Sequence, residues 1–346
     1  MTMSNLPAEW HPADAVLIAW PHKHTDWEYM LDTVTDCYAE IATAIAQHVS
    51  ALIIVTPYPD DPASKLKGRI PADKLHILEI PTNDTWARDF GPITTISSDG
   101  LPMINDFKFN GWGLKFAADK DNLITRHLFD SGIFNGSYSN HLSFVLEGGS
   151  IESDGNGTLL TTAECLLSPN RNGGISRPQI EEYLLNAFGA RKILWLHHGF
   201  LEGDDTDSHI DTLARLCPDN TILYSACDRP DDIHFTELSL MEAEIHALTD
   251  ADGNKFRAIP MPIPQPIYDE DGMRLPATYA NFLILNDAVL LPVYADGHYD
   301  TIAISAASRA FPALRIIPIN CLPLIQQHGS LHCITMQIPQ NAIQHP

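Results

Sequence analysis

The sequence lacks most of the features that would place a chain at a membrane, outside the cell or on nucleic acid. No run approaches the roughly 20 apolar residues needed to cross a bilayer. The most apolar stretch, NFLILNDAVLLPVY over 281–294, is broken by Asn286 and Asp287. The amino terminus, MTMSNLPAEWHPADAV, carries neither a positive leading segment nor an apolar stretch ending in small residues. No export signal is visible, and a cytoplasmic location is expected. The six cysteines (Cys37, Cys165, Cys217, Cys227, Cys321 and Cys333) show no Cys-x-x-Cys spacing, so neither a zinc knuckle nor a disulfide framework is indicated. The His-Glu-x-x-His pattern is missing as well. A zinc hydrolase built on His22, His24, His197, His198 or His209 is therefore a disfavoured alternative. Basic residues are scarce, 21 against 44 acidic ones, for a net charge of −23. That balance repels nucleic acid and anionic membranes and favours cationic partners, although acidity also serves solubility.

What is present reads as an ordinary globular chain of 346 residues, with 45% hydrophobic and 19% charged residues. Helical periodicity marks 27–49, 120–132, 177–189, 236–249 and 299–311; in the first, Met30, Val34, Tyr38, Ile41 and Ile45 form one apolar stripe. Short β-branched runs at 51–57, 75–81, 91–97, 157–162, 192–196, 221–224, 281–285 and 314–319 predict strands. After the first helix, successive helices begin roughly 60 residues apart, which suggests about five copies of one strand–helix unit. A pseudo-symmetric ring and a doubly wound open sheet both give this alternation. The proline-rich 259–272 reads as an extended surface segment, a lid or a loop, because proline donates no ladder hydrogen bond.

Five polar segments flank predicted strands: 83–92, 147–162, 204–216, 279–286 and 329–339. If 204–216 is extended, His209 and Asp211 project from one face with Ile210 turned inward, giving a proton-transfer group beside a carboxylate. Cys333 falls in LHCITMQIP, an alternating strand after Gly329, where a buried thiol is either an inert small hydrophobe or a nucleophile. Glu147 precedes Gly148 and Gly149, which let the backbone bend and aim a carboxylate into a cleft. Trp86 and Asp89 flank Arg88 and offer an aromatic face near a carboxylate, a pairing suited to a planar cation. One thiol, one imidazole and three carboxylates are what hydrolysis of a guanidinium needs. The carboxylates fix the nitrogens, the thiolate adds to carbon, and the imidazole protonates the leaving ammonia and then activates water.

The segments NDTWARDFGP (83–92), FNGWGLKF (109–116), EGGSIESDGNGTLLTTAECLLSPNRN (147–172), DDTDSHID (204–211), RLPATYANFLILN (274–286) and HCITMQIP (332–339) resemble the agmatine deiminase and bacterial peptidylarginine deiminase family of the guanidino-group-modifying pentein superfamily. The resemblance runs from PAEWHP (7–12) almost to the C-terminus. It implies an α/β fold, a five-bladed propeller of pseudo-symmetric ββαβ units around a central site, in one catalytic domain over 1–346. It implies Cys333 as nucleophile, His209 as acid/base, and Asp89, Glu147 and Asp211 as guanidinium contacts, with Trp86 and Trp112 beside the substrate. No cofactor and no metal are implied. The expected reaction is agmatine plus water to N-carbamoylputrescine and ammonia; free or peptidyl arginine is the alternative substrate class, and a non-catalytic polyamine-binding protein the alternative to an enzyme. The partner is a small cationic guanidino compound, and a homo-oligomer is compatible with the sequence. Two departures bear on side-chain recognition: Ser208 stands where the family has glycine before the motif histidine, and QQHGSLHC (326–333) has fewer glycines than the family pattern.

Overall fold

Ala13–Ala19 and Ala51–Thr56 are apolar runs buried along their whole length. Such runs suit parallel strands covered on both faces. The two pair in parallel, and the intervening helix Leu31–Ala46 buries Val34, Tyr38, Ile41 and Ile45. Thr335–Pro339 adds antiparallel to Ala13–Ala19, so the two ends of the chain share one sheet. This is the computed structural model of the chain; it describes residues 4–344.

The same strand–strand–helix–strand order recurs in each of the five separate sheets. Ile93–Ser97 and Pro102–Lys108 are antiparallel, and after the helix Ile124–Asp130 the strand Ser137–Val145 returns in parallel. Ile151–Ser153 and Thr158–Thr162 are followed by the helix Arg177–Phe188 and parallel Lys192–Leu196. Ala214–Cys217 and Thr221–Ala226 lead through Phe235–Ala247 to Arg257–Pro262. Leu283–Ile284 and Ala288–Val293 lead through Tyr299–Ala310 to Arg315–Asn320. A parallel return needs a crossover of about a dozen residues, and the helices supply it. Leu216, Ile222, Leu238, Met241 and Ile245 form part of a second apolar cluster beside the main core. Among the described residues no helix is long and apolar enough to cross a membrane.

Three local expectations are corrected. His209 and Asp211 do not lie on an extended face; Ile210–Leu213 is one helical turn entered from His209, and the strand begins at Ala214. Cys333 is not within a strand but in the turn before Thr335–Pro339. The proline-rich region starts as a true strand: Arg257–Pro262 buries Ile259 and Met261 at a sheet edge, where a missing N–H costs no ladder bond. Its continuation is pinned, with Arg229 donating to the Ile263 and Pro264 carbonyls (3.3 and 2.9 Å) and Arg274 to Asp232 (2.9 Å twice).

These corrections expose a regularity. Every unit enters its first strand through a short turn: Ala87–Phe90, Gly148–Ser150, Ile210–Leu213, the bend at 278–282 and the turn at 331–334.

The helix Arg177–Phe188 is bounded by a capping box, in which Ser176 N–H donates to Gln179 Oε1 (2.8 Å), and by Gly189 in the left-handed conformation (φ 60°). A Cβ on Gly189 would lie 2.1 Å from the Ser4 carbonyl oxygen. Gly189→Ala should therefore lower stability by at least about 2 kcal/mol, read as a fall in denaturant midpoint at unchanged slope; an unchanged midpoint would refute this packing.

Candidate active site

The entry turns bring polar groups together. Asp89, in the first, is buried and fully engaged: its Oδ1 accepts Gly149 N–H (3.0 Å) and its Oδ2 accepts the Trp112 indole N–H (2.9 Å). Trp112 reaches it from a left-handed conformation (φ 54°) in a turn capped by Asn110, whose Oδ1 accepts Gly113 N–H (3.0 Å). His209 Nδ1 lies 3.6 Å from Asp89 Oδ1, and neither ring nitrogen has a hydrogen-bond partner although both are buried. Asp211 gives Oδ2 to His332 Nδ1 (2.7 Å) and leaves the buried Oδ1 without a partner. Cys333 Sγ is 3.9 Å from Asp211 Oδ2 and 3.4 Å from Asn281 Oδ1. Asn281 Oδ1 also accepts the backbone N–H groups of His332 and Cys333 (2.9 and 3.2 Å), fixing the turn that carries the thiol. A Cβ on Gly149 would meet His209 Nδ1, Asp89 Oδ1 and Asp211 Oδ2 at 2.7, 2.8 and 3.0 Å, so all three surround one point that only glycine leaves open.

Glu147 is placed differently from the sequence expectation. It is fully buried but turned to Arg171, whose Nε contacts both carboxylate oxygens (2.9 and 3.1 Å), so it holds a guanidinium of the chain itself. The same arginine ties down the loop before His209 through Asp207 Oδ2 (2.6 Å) and the Thr206 carbonyl (2.7 Å). Glu147, Cys165 and His209 have donor atoms within 4.8 Å of one another, as do Glu9, Glu152 and His332. In both groups the carboxylates are already neutralised by a guanidinium, Arg171 or Arg215, which makes them poor seats for a divalent ion.

A cavity of about 200 Å³ opens above Cys333 and Asp89, walled by Trp86, Trp112 and Phe116. Trp86 is backed by Trp27, with ring centroids 5.9 Å apart. Toward solvent the cavity is bordered by exposed Asp26 and half-buried Asp84, Asp204 and Asp205. His209 and Asp211 stand just behind its wall, against Asp89 and Cys333.

Burial sets the protonation of the site. It pushes Asp89 well above the usual carboxylate range, helped by the charge of Asp211. It pushes the Cys333 thiol well up, again with Asp211 and Asp89 contributing. It drives His209 down to about 3, with Asp211 opposing and Arg171 assisting. Asp211 resists burial because the His332 hydrogen bond and the Arg215 charge hold it below the usual range. Burial also lifts Asp84 at the cavity rim to about 7.

Sequence reasoning named Cys333, His209, Asp89 and Asp211, which the structure gathers within touching distance, and Trp86 and Trp112, which wall the cavity. It passed over Asn281, Arg171 and His332. Arg171 carried a signal: in a chain with only 21 basic residues it stands in LLSPNRNGGIS with no acidic neighbour, so its partner had to be distant in sequence.

The family model for Porphyromonas-type peptidyl-arginine deiminase matches residues 5–339. A Legionella pneumophila protein provisionally named agmatine deiminase is 34% identical over 339 residues, covering 97% of this chain and 95% of that one. The crystal structure of a provisionally named arginine deiminase from Porphyromonas gingivalis superposes with a TM-score of 0.91 at 50% identity, covering 99% of both chains. A Cys-to-Ser variant of C. jejuni agmatine deiminase with substrate bound superposes with a TM-score of 0.89 at 34% identity, covering 99% of this chain and 97% of that one. More distant solved structures, at 12% and 11% identity, share the mixed α/β fold alone.

The departure at 208 has a structural reading. Asp207 and Ser208 both adopt left-handed backbone (φ 62° and 60°), and Asp204 Oδ2 holds Ser208 N–H at 2.8 Å. Serine therefore occupies the conformation that glycine adopts without strain. Ser208→Gly should leave stability within about 1 kcal/mol, because released strain offsets the added freedom of the unfolded chain. Ser208→Val should cost about 1–3 kcal/mol, since a β-branched residue is out of place at positive φ. Denaturant midpoints of the two variants decide it, and equal midpoints would refute the left-handed assignment.

Proposed function

The chain belongs to the Porphyromonas-type peptidyl-arginine deiminase family, a hydrolase acting on C–N bonds of amidines, and from that premise we propose that its substrate is agmatine. The observation that carries this reading is the acidity of both ends of one cavity: Asp89 at the floor with Asp211 just behind it, and Asp26, Asp84, Asp204 and Asp205 toward solvent. A planar guanidinium suits the floor between Trp86 and the carboxylates. A second positive charge suits the rim, where burial leaves Asp84 without a counter-charge. Arginine would bring its own carboxylate among those aspartates, a like-charge contact that disfavours it.

In this reading Asp89 and Asp211 orient the guanidinium, and its positive charge reverses the electrostatics that keep the thiol protonated. The Cys333 proton passes to neutral His209, and the thiolate adds to the guanidinium carbon. His209 returns the proton to one nitrogen, the C–N bond breaks, and ammonia leaves an amidino thioester. Water, deprotonated by His209, attacks the same carbon; the C–S bond breaks and sulfur regains a proton. The net change is guanidinium plus water to a ureido group and ammonium, giving N-carbamoylputrescine from agmatine. Glu147 acts through Arg171, which holds the His209 loop. The entry turns carry Asp89, Gly149, Asp211, Asn281 and Cys333, and that convergence supports reading the five sheets as blades around a central site in a single domain over 1–346.

Incubation with agmatine, free arginine and an arginyl peptide, assayed for ammonia and ureido product, tests the reading. Agmatine should exceed the other two by at least about a hundredfold in kcat/KM. Cys333→Ser should abolish turnover while keeping substrate binding. Asp89→Asn or Asp211→Asn should lower kcat/KM at least about a hundredfold, because charge-assisted bonds to a buried cation lose roughly 3 kcal/mol. Asp99→Asn, an exposed turn residue, should change it less than about threefold. Preference for the peptide would move the assignment to peptidyl arginine, and equal small effects at all three aspartates would remove the cation site altogether.

A further inference from the structure

The two oxygens of Asp211 are divided: Oδ2 is taken by His332 Nδ1 at 2.7 Å, while Oδ1 is buried and free. His332 is itself buried and is held from behind, where its Nε2 lies 2.7 Å from Glu9 Oε1. Glu9 is anchored in turn, its Oε1 accepting Arg88 Nη1 (3.1 Å) and its Oε2 accepting Arg215 Nη2 (2.5 Å) and Gln337 Nε2 (3.1 Å). Arg215 is fixed by Glu152 (2.5 Å) and by the carbonyls of Ala280 and Phe282 (3.0 and 2.6 Å). A cavity of about 70 Å³, lined by Glu9, Arg88, Glu152 and Gln337, lies on the far side. A continuous chain therefore runs from the site floor to a second cavity: Asp211, His332, Glu9, and then two arginines.

We propose that His332, steadied by Glu9, is a positioning residue for Asp211: it clamps one carboxylate oxygen so that the other faces the guanidinium at a fixed angle and in the ionised state. The inference rests on the reading of Asp211 as a guanidinium contact. Three features of the structure carry it. A carboxylate held through one oxygen by a ring locked at both nitrogens has lost its rotational freedom before substrate arrives, which is the pre-organisation a charge-assisted clamp needs. Contacts of 2.7 Å on each side of one imidazole, with Arg215 Nη2 also 3.1 Å from Nε2, tie the protons of the three groups together, so they titrate as a unit rather than singly. The backbone adds the coupling to the thiol: His332 and Cys333 are adjacent, and both N–H groups sit on Asn281 Oδ1. The groups facing the imidazole are Asp211, Glu9, Arg215 and Arg88, so removing the Glu9 charge leaves the two arginines to oppose any proton on the ring.

The test separates the two ring nitrogens. In His332→Asn the amide nitrogen stands where Nδ1 stood and keeps a donor for Asp211. In His332→Gln the amide reaches toward Glu9 and the donor to Asp211 is lost. With agmatine, His332→Gln should lower kcat/KM at least about fiftyfold and mostly through KM, whereas His332→Asn should recover at least about fivefold of that loss. Glu9→Gln, measured on protein whose circular dichroism matches the parent, should shift the kcat/KM–pH profile by at least about half a pH unit. Equal losses in the two His332 variants, or an unmoved profile, would overturn the proposal. A readout independent of turnover is the hydrogen-bonded Nδ1–H proton of His332 in 15N-labelled protein, which should appear downfield, vanish in Asp211→Ala and shift in Glu9→Gln; its absence overturns the clamp whatever the enzyme does. If the clamp signal is present but the parent enzyme turns over none of the three guanidino substrates, the functional reading fails, and the clamp with it as a device for that substrate.

Discussion

The rest of the molecule is organised around one electrostatic constraint, three carboxylates, Asp89, Glu147 and Asp211, buried around the imidazole of His209. Each carries a desolvation penalty, and their like charges add to it. The chain resolves the conflict separately at each position. Asp89 receives two N–H donors, from Gly149 and Trp112. Glu147 receives the bifurcated Nε–H contact of a buried arginine. Asp211 receives an imidazole backed by a second ion-pair network. Those three supports account for the burial of Arg171, Arg215 and His332, with Glu9 partly buried behind them.

The same constraint defines the resting state. With Asp89 and the Cys333 thiol pushed up and His209 pushed down, burial favours the uncharged form of all three. On the proposed reading a bound guanidinium favours the carboxylate and the thiolate together, while its charge holds the imidazole neutral. On that reading activation is coupled to recognition through charge. It also guards the thiol, since the thiolate is the form that reacts with adventitious electrophiles.

Much of the fold was legible because the helices carry it. Each of the five helices predicted from apolar spacing exists within a few residues of its expected bounds, and burial of one stripe against a sheet is what that spacing reports. Strands were less legible where they do not alternate or are polar. Ala13–Ala19 is apolar but for Asp14, and Ser137–Val145 is a polar, partly exposed edge. Arg257–Pro262 was obscured by its prolines. At the site, the chemistry was readable but the conformations were not. His209 and Asp211 converge through a helical turn rather than a shared strand face, and Cys333 sits before its strand, because hydrogen bonds to Asn281 override local β-propensity there. Arg171, Asn281 and His332 act through partners 24 to 323 positions away, and no local pattern encodes such partners.

The distribution of strain follows from the same architecture. A site assembled from five entry turns must aim side chains inward from short, sharply bent segments. Several residues bordering it accordingly take left-handed backbone without being glycine: Trp112, Asp207, Ser208 and His328. Each is over-determined by contacts that the turn itself does not supply. Trp112 is held by its bond to Asp89, Asp207 by Arg171 and Lys115, Ser208 by Asp204, and His328 by the Gly203 carbonyl. Strain of this size persists only where surrounding structure enforces it. The ion pairs and hydrogen bonds that neutralise the buried carboxylates are thus in part the same bonds that hold the strained turns, so charge compensation and geometric precision at this site are one set of interactions.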